Sequence, residues 1–132
     1  MSGPATRRDQ DACPCGRGST LADCCGRYQG TGVPAPDAES LMRSRYTAFV
    51  RGDAAHLLAT WHASTRPASL ALEPGVKWLG LEVRRHIAVD VDHAEVEFVA
   101  RSRIQGRGQR LHERSRFVRE GGGWFYVDGD LP

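Results

Sequence analysis

The chain has 132 residues, a formal net charge of +2 and a hydrophobic fraction of 40%, which suits one modest domain with a small appendage. It has no run of about 20 apolar residues, the length a helix needs to cross a membrane, so a membrane-spanning protein is not expected. Residues 1–10 are polar, lack the apolar core of a secretory signal peptide, and are expected to be loose. The sequence therefore predicts a cytoplasmic protein.

All four cysteines of the chain, Cys13, Cys15, Cys24 and Cys25, fall within thirteen residues. Thiolates are soft ligands suited to tetrahedral zinc, and four of them fill every position around the ion. Because no position is left for water or substrate, the pattern predicts one structural Zn²⁺ and not a catalytic one. The alternative of two disulfides is disfavoured, because clustered cysteines in a reducing compartment more often bind metal.

A segment rich in glycine and proline follows the cysteine cluster at residues 30–37. This composition is typical of a linker. We therefore expect three parts: a zinc knuckle with a loose N-terminus at residues 1–29, a linker at 30–37, and a second domain at 38–132.

Two helices are predicted to open the second domain. Asp37 is a candidate N-cap, and apolar residues recur at helical spacing from Ala38 to Phe49. Gly52 is expected to end this helix, and Asp53 to cap the second one.

The hydrophobic period changes to two after Lys77, which is typical of β-strands. Turns are indicated at Gly106–Gly108 and at residues 120–123, and a bulge at Gly80. The expected strands cover residues 78–89, 94–104, 110–117 and 124–128. Two helices followed by four antiparallel strands predict an α+β domain with the helices packed on one sheet face.

Two parts of the chain resemble known families. The run from Cys13-Pro-Cys-Gly to Cys24-Cys25-Gly26 resembles the SEC-C motif, the zinc-binding element named for the C-terminus of the SecA translocation ATPase. The remainder resembles the YchJ family of uncharacterised bacterial proteins. Five segments carry that resemblance: Leu41–Phe49, Thr60–Arg66, Glu95–Arg101, His112–Phe117 and Trp124–Asp128.

The resemblance implies a cone-shaped fold like that of nuclear transport factor two and the ketosteroid isomerases, with helices cupped against a curved antiparallel sheet, often around a pocket. Some family members carry a second cysteine cluster at the C-terminus, which this chain lacks, so a function that needs two zinc knuckles is not expected. In SecA the resembling element docks a chaperone partner. By analogy, the first hypothesis is an interaction or adaptor module that binds a protein partner through Arg17, Arg27 and Tyr28. The alternative is that the knuckle only caps the second domain.

A second hypothesis is a small-molecule or isomerase-like pocket in the second domain. Glu113 and Ser115 share a strand face with apolar neighbours, so a carboxylate is expected in an apolar cavity if that face is the inner one. A Glu, a His and a Tyr (Glu113, His62 and Tyr126) converging there could perform general acid–base chemistry. The favoured alternative is a structural ion-pair network, in which Glu113 pairs with an arginine beside Ser and Tyr. Candidate charge partners of the carboxylate are Arg43, Arg45, Arg66, His62 and Arg101.

Other features of the second domain favour a structural role over catalysis. No nucleophile–base pair stands out, so an enzyme is the less favoured outcome. The favoured alternative for His62 is a hydrogen-bonded histidine at the end of the second helix. The remaining expectations place His56, His86 and His93 at the surface or in turns, and Trp61, Trp78 and Trp124 in the core.

A third hypothesis is association with RNA or the ribosome. Between Arg101 and Arg119 the chain carries seven arginines and one acidic residue, which could form a phosphate-binding stripe on one strand face. The alternative is a solvated outer face whose arginines pair with Glu95 and Glu97. No aromatic residues interleave with these arginines, so nucleic acid is the less favoured partner. An open sheet also allows a homodimer, by analogy with proteins of this shape.

Overall fold

The computed structural model describes residues 11–132; residues 1–10, expected to be loose, lie outside the described part. A 3₁₀ turn at Cys25–Arg27 is followed by two helices and four strands. The helices are α1 (Ala38–Arg51) and α2 (Ala54–Ala59), and the strands are β1 (Val76–Asp90), β2 (His93–Ile104), β3 (Arg107–Glu120) and β4 (Gly123–Asp130). The strands form one curved antiparallel sheet in the order β1-β2-β3-β4. The predicted α+β architecture is confirmed.

The helix ends lie where the local sequence places them. Asp37 caps α1, because its side chain accepts a hydrogen bond of 2.7 Å from the Ser40 N–H. Gly52 ends α1 in the left-handed conformation at φ 73°, which glycine adopts without steric cost. Asp53 caps α2 through the His56 N–H at 3.1 Å.

The sheet turns its apolar face toward the helices. The bulge predicted in β1 lies between Trp78 and Gly80, where the pairing with β2 shifts by one residue. The β2–β3 turn lies at residues 105–106, one residue earlier than predicted, and the β3–β4 turn lies at 121–122. The buried β2 residues that form the centre of the core are Ala94, Val96, Phe98 and Ala100.

The expectation that His56 lies at the surface is wrong. His56 is 7% exposed, and its Nε2 lies 2.9 Å from the Ser44 Oγ in the contact between α1 and α2. Burial lowers its pKa below the ordinary value, so the neutral imidazole is the form that packs there.

In the part of the chain that the structure describes, no helix combines the length and the apolar character required to cross a membrane.

Candidate metal centre and ligand cavity

The four cysteine side chains of the knuckle, Cys13, Cys15, Cys24 and Cys25, are buried and free of disulfides. Their sulfur atoms lie within 4.8 Å of one another, and the Sγ atoms of Cys15 and Cys24 are 3.5 Å apart. A tetrahedral zinc ion with Zn–S bonds of about 2.3 Å would set its sulfur ligands about 3.8 Å apart. The cluster therefore has the size and the donor chemistry of a four-thiolate metal site.

The four thiols cannot all ionise without a compensating charge. Hydrogen bonds from Cys15 and Cys25 hold the pKa of the Cys13 thiol below its ordinary value, and the hydrogen bond to Cys13 raises the pKa of Cys25. Burial raises the pKa of Cys24 to about 11. A divalent cation would supply the positive charge needed to ionise all four thiols together.

The cysteine cluster rests on helix α1. The Thr47 Oγ1 lies 3.7 Å from the Cys13 Sγ, and the Arg43 Nη1 donates a hydrogen bond of 2.7 Å to the Cys15 carbonyl. Leu81 of β1 packs against both the cysteine cluster and the central core. Groups around a metal shell that bond its ligands fix their orientation, so α1 positions the cluster.

All three residues expected to contact a protein partner make contacts within the chain. Arg17 donates through Nη1 to the Ser40 Oγ at 2.8 Å, and its Nη2 lies 3.3 Å from a Glu39 carboxylate oxygen. Tyr28 is only 9% exposed and belongs to the central core. Arg27 is exposed, and its Nε donates a hydrogen bond of 3.1 Å to the Cys24 carbonyl. The knuckle therefore turns part of its expected contact surface toward its own chain.

A cavity of about 240 Å³ lies between α1 and the inner face of the sheet. It reaches the surface beside Leu111 and Phe49, which are 41% and 37% exposed. Its walls are mostly apolar and aromatic. They include Tyr46, Trp61, Trp78, Phe98, Ala100 and Phe117.

Glu113 brings a carboxylate to this cavity from β3, so the strand face that it shares with Ser115 is the inner one. The Ser115 hydroxyl donates a hydrogen bond to the Glu113 Oε2, and the Tyr126 hydroxyl lies 3.5 Å from the same oxygen. Burial raises the pKa of Tyr126 to about 12, and the negative charge of Glu113 adds to the effect. The carboxylate lies across Gly129 of β4, where a Cβ atom would fall 2.5 Å from Oε2.

Arg45 brings a guanidinium to the same cavity from α1. It is 7% exposed, and its Nη1 donates to the Leu57 carbonyl at 2.8 Å and to the Thr60 Oγ1 at 2.7 Å. The Arg45 Cζ lies 4.6 Å from the Tyr126 ring centre and 5.2 Å from that of Trp61. Among residues 11–132 it forms no ion pair with a carboxylate. Burial lowers its pKa to about 10, so it remains a cation at neutral pH.

Comparison with known proteins places both parts of the chain in a family. Residues 37–129 match the family described as YchJ, middle NTF2-like domain, and residues 11–27 match the SEC-C motif. The chain belongs to the YchJ family. Among its relatives, a UPF0225 protein of Polaromonas naphthalenivorans is 62% identical over 130 residues, with coverage of 89% of this chain and 96% of the relative. A UPF0225 protein of Methylibium petroleiphilum is 64% identical over 120 residues, with coverage of 90% and 88%.

Two solved structures share the fold. The solution structure of a SEC-C motif containing protein from Rhodopseudomonas palustris has a TM-score of 0.83 at 32% identity, and the match covers 91% of this chain and 98% of that one. The crystal structure of a SEC-C motif containing protein from Psychrobacter arcticus has a TM-score of 0.79 at 26% identity, with coverage of 95% and 85%. The expected YchJ and SEC-C resemblance is thus confirmed along nearly the whole chain.

Of the pocket residues expected in this YchJ chain, the cavity contains Glu113, Ser115 and Tyr126. The expectation that His62 joins them is corrected by the structure. The segment around Trp61 bridges to Tyr126 of β4 like a short strand, and successive side chains of an extended segment point to opposite sides. Trp61 therefore lines the cavity, and His62 faces away from it.

The other contacts of His62 show where it lies instead. Its Nε2 meets the Glu120 carboxylate at the β3–β4 hairpin, and its Nδ1 lies 2.7 Å from the Ser64 Oγ. The bridge between residues 60–62 and β4 has no signature in the sequence, because it depends on a contact between segments about sixty residues apart. Trp61 is thus a cavity residue that sequence reasoning assigned to the core.

The other expected charge partners are also corrected. Arg101 lies on the outer face of β2, because side chains alternate between the two faces along a strand and its immediate neighbours face inward. Its Nη1 lies 3.6 Å from a Glu82 carboxylate oxygen. Arg66 is exposed beyond α2. Arg43 points to the knuckle from the other side of α1. Arg45 is the one member of the expected set that lines the cavity with Glu113.

Part of the arginine-rich outer face is neutralised by acidic neighbours, as the alternative to phosphate binding required. The pairs join β2 with β3 and β3 with β4. They are Arg114 with Glu95 at 3.4 Å, His112 with Glu97 at 2.8 Å, and Arg116 with Asp128 and Asp130, each at 2.6 Å.

Replacing Gly129 with Ala should displace the Glu113 carboxylate, because the new Cβ would overlap its Oε2, Cδ and Cγ atoms. We expect Gly129→Ala to lower the free energy of unfolding by about 1–3 kcal/mol, the range for an overpacked site, measured by urea denaturation. Gly108→Ala is the matched control, since a Cβ there meets nothing within 4 Å. In a Glu113→Ala background the Gly129→Ala cost should largely disappear; an unchanged cost in that background would contradict the assignment.

Proposed function

We propose that the protein binds a small organic molecule in the cavity between α1 and the sheet, and that a structural zinc knuckle holds α1 in place. One observation carries this proposal: the cavity presents a carboxylate, Glu113, and a buried guanidinium, Arg45, to apolar walls without joining them in an ion pair. Protein interiors are close-packed and contain few voids larger than a water molecule. An apolar concavity with a few convergent polar groups is the usual form of a ligand site.

The proposal is for binding and not for acid–base catalysis. The expected chemistry needed a histidine beside Glu113, and His62 faces the other way. Tyr126 and Ser115 both direct their hydroxyl groups at the same carboxylate oxygen. These contacts hold Glu113 in one orientation, which favours recognition of a ligand group.

The knuckle supports the cavity through α1. Zinc suits the cluster because four thiolates form a closed tetrahedral site for that ion. Zinc binding in small knuckles is worth about 10–16 kcal/mol near neutral pH, and among residues 11–132 the apolar neighbours of the cysteine cluster are Leu21 of the knuckle and Leu81 of β1. The metal would therefore order a segment that has almost no core of its own.

The adaptor role expected for the knuckle stays a prediction. Because Tyr28 belongs to the core and Arg17 is tied to α1, a protein partner would have to use other knuckle residues, among them Arg27. The contacts of the knuckle with its own chain favour the alternative in which it caps and fixes the second domain.

Cavity binding can be tested with a neutral aromatic probe. Indole added to the ¹⁵N-labelled protein should cause saturable chemical-shift changes in the residues that line the cavity. Ala100→Phe should abolish these changes, because Ala100 is 3% exposed and faces the cavity. Ala71→Phe, an equal change at an exposed loop position, is the matched control. Shifts that persist in a folded Ala100→Phe protein would overturn the proposal.

The zinc assignment predicts one zinc ion per chain, measured by elemental analysis of protein purified under reducing conditions. Cys25→Ser should lower the bound metal to less than half an equivalent and collapse the amide dispersion of residues 11–28, while the sheet amides remain dispersed. Ser19→Ala, an exposed change in the same knuckle, should retain the metal. A knuckle that stays ordered in metal-free protein would contradict the structural role.

A second candidate function, RNA binding, is favoured by one specific observation. Arg101 lies directly opposite Arg110, and Lys77 directly opposite Arg103, in the pairing of β1, β2 and β3. Like charges in directly opposed strand positions destabilise a sheet. Within residues 11–132 the only acidic partner of this cluster is Glu82, so a phosphate backbone would relieve the repulsion.

RNA binding predicts salt-sensitive retention on heparin and on single-stranded RNA. Arg103→Gln with Arg110→Gln should reduce the slope of log affinity against log salt by about 0.7 for each lost phosphate contact. The matched control is Arg114→Gln with Arg116→Gln, because those arginines are already paired with carboxylates. Equal losses in the two double variants, or elution at low salt, would exclude this surface.

A further inference from the structure

The positive charge of Arg45 is not neutralised by a direct ion pair with any carboxylate of residues 11–132. The side chain is 7% exposed, and its hydrogen bonds run to two neutral oxygens through a single nitrogen, Nη1. Every fully buried polar side-chain atom of residues 11–132 has a hydrogen-bond partner. The remaining donors of the guanidinium therefore retain access to open space, and the open space that Arg45 lines is the cavity.

A buried cation without a direct ion pair is costly, and the attraction of Glu113 across the cavity and the cation–π contacts offset only part of that cost. The rings of Trp61 and Tyr126 lie near the guanidinium of Arg45 at 5.2 and 4.6 Å. The Arg45 guanidinium has no anion within hydrogen-bonding distance among residues 11–132. The planar fork of a guanidinium matches a carboxylate by two parallel hydrogen bonds.

Glu113 restricts which anions can enter. Its carboxylate repels a second negative charge in the same low-dielectric space, and two hydroxyl groups, those of Ser115 and Tyr126, already face one of its oxygens. A ligand that also offers a hydrogen-bond donor, a hydroxyl or an ammonium group, would turn this repulsion into a contact. Since Arg45 and Glu113 do not pair with each other, one ligand can reach both.

The size of the cavity limits the rest of the ligand. An engineered apolar cavity of about 150 Å³ accommodates benzene, and this one is about 240 Å³. There is space for one ring, or a branched chain of similar bulk, with its polar substituents. Phe98 and Phe117 on the sheet side supply apolar contacts for such a body.

We propose that the cavity binds a small hydroxy- or amino-carboxylate, with its carboxylate on Arg45, its donor group on Glu113 and a single ring or branched chain against the aromatic walls. This inference rests on the proposed function, because it names the class of molecule for the same cavity. The two charged residues have different roles in this proposal. Arg45 selects ligands with a carboxylate, and Glu113 selects those carboxylates that also carry a hydrogen-bond donor.

Four probes of one scaffold test the two contacts separately. The full-length zinc-bound protein is titrated with 3-hydroxybenzoate, 4-hydroxybenzoate, benzoate and phenol, followed by amide chemical shifts and tryptophan fluorescence. The better hydroxybenzoate isomer should bind at least tenfold more tightly than benzoate, which lacks the donor, and than phenol, which lacks the acid. Phenol that binds as tightly as the hydroxybenzoates would overturn the ligand class and leave the cavity proposal standing. If none of the probes shifts the cavity resonances, both proposals fall.

Variants assign the contacts to residues. Arg45→Gln should remove the preference for hydroxybenzoate over phenol, and Arg66→Gln, an exposed change beyond α2, should leave it intact. Arg45→Gln also loses the bonds to Leu57 and Thr60, so Glu113→Gln provides a test that leaves those bonds alone. Glu113→Gln should strengthen benzoate binding, so that the affinities for benzoate and hydroxybenzoate differ by less than threefold. Unchanged benzoate affinity in Glu113→Gln would overturn the role given to Glu113.

Discussion

Helix α1 is the element on which the metal cluster and the cavity both depend. Arg43 and Thr47, four residues apart, lie on the side that receives the knuckle. Arg45 and Tyr46 lie on the side that lines the cavity. Side chains three and four apart share a helix face, so a rotation or shift of α1 would disturb both sites together. This gives the knuckle a physical role inside its own protein, apart from any partner.

The cavity differs from a buried ion pair, although it contains one charge of each sign. In an ion-pair network Arg45 and Glu113 would neutralise each other. Instead, hydroxyl groups hold the carboxylate on one side, and neutral oxygens and aromatic rings hold the guanidinium on the other. Gly129 leaves room for the carboxylate because any larger residue would occupy its position. The backbone of β4 is thus part of the site.

The outer face of the sheet shows how strand register divides a run of arginines. Arg114 and Arg116 meet acidic residues on neighbouring strands, whereas Arg101 meets Arg110. The alternation of side chains places all four on one face, but the pairing across strands decides which of them are neutralised. One half of this arginine-rich face is therefore neutralised by acidic residues, and the other half keeps its positive charge.

The sequence by itself determined the local features: the caps at Asp37 and Asp53, the period of the strands, the strand face that Glu113 shares with Ser115, and the four clustered cysteines. These follow from interactions within a few residues, or from ligand chemistry that is indifferent to the rest of the fold. Only the tertiary structure decided that Trp61 lines the cavity in place of His62, that His56 is buried, and that Arg45 is buried without a carboxylate partner. Those outcomes depend on contacts between segments far apart in the chain, and no local pattern encodes such distances.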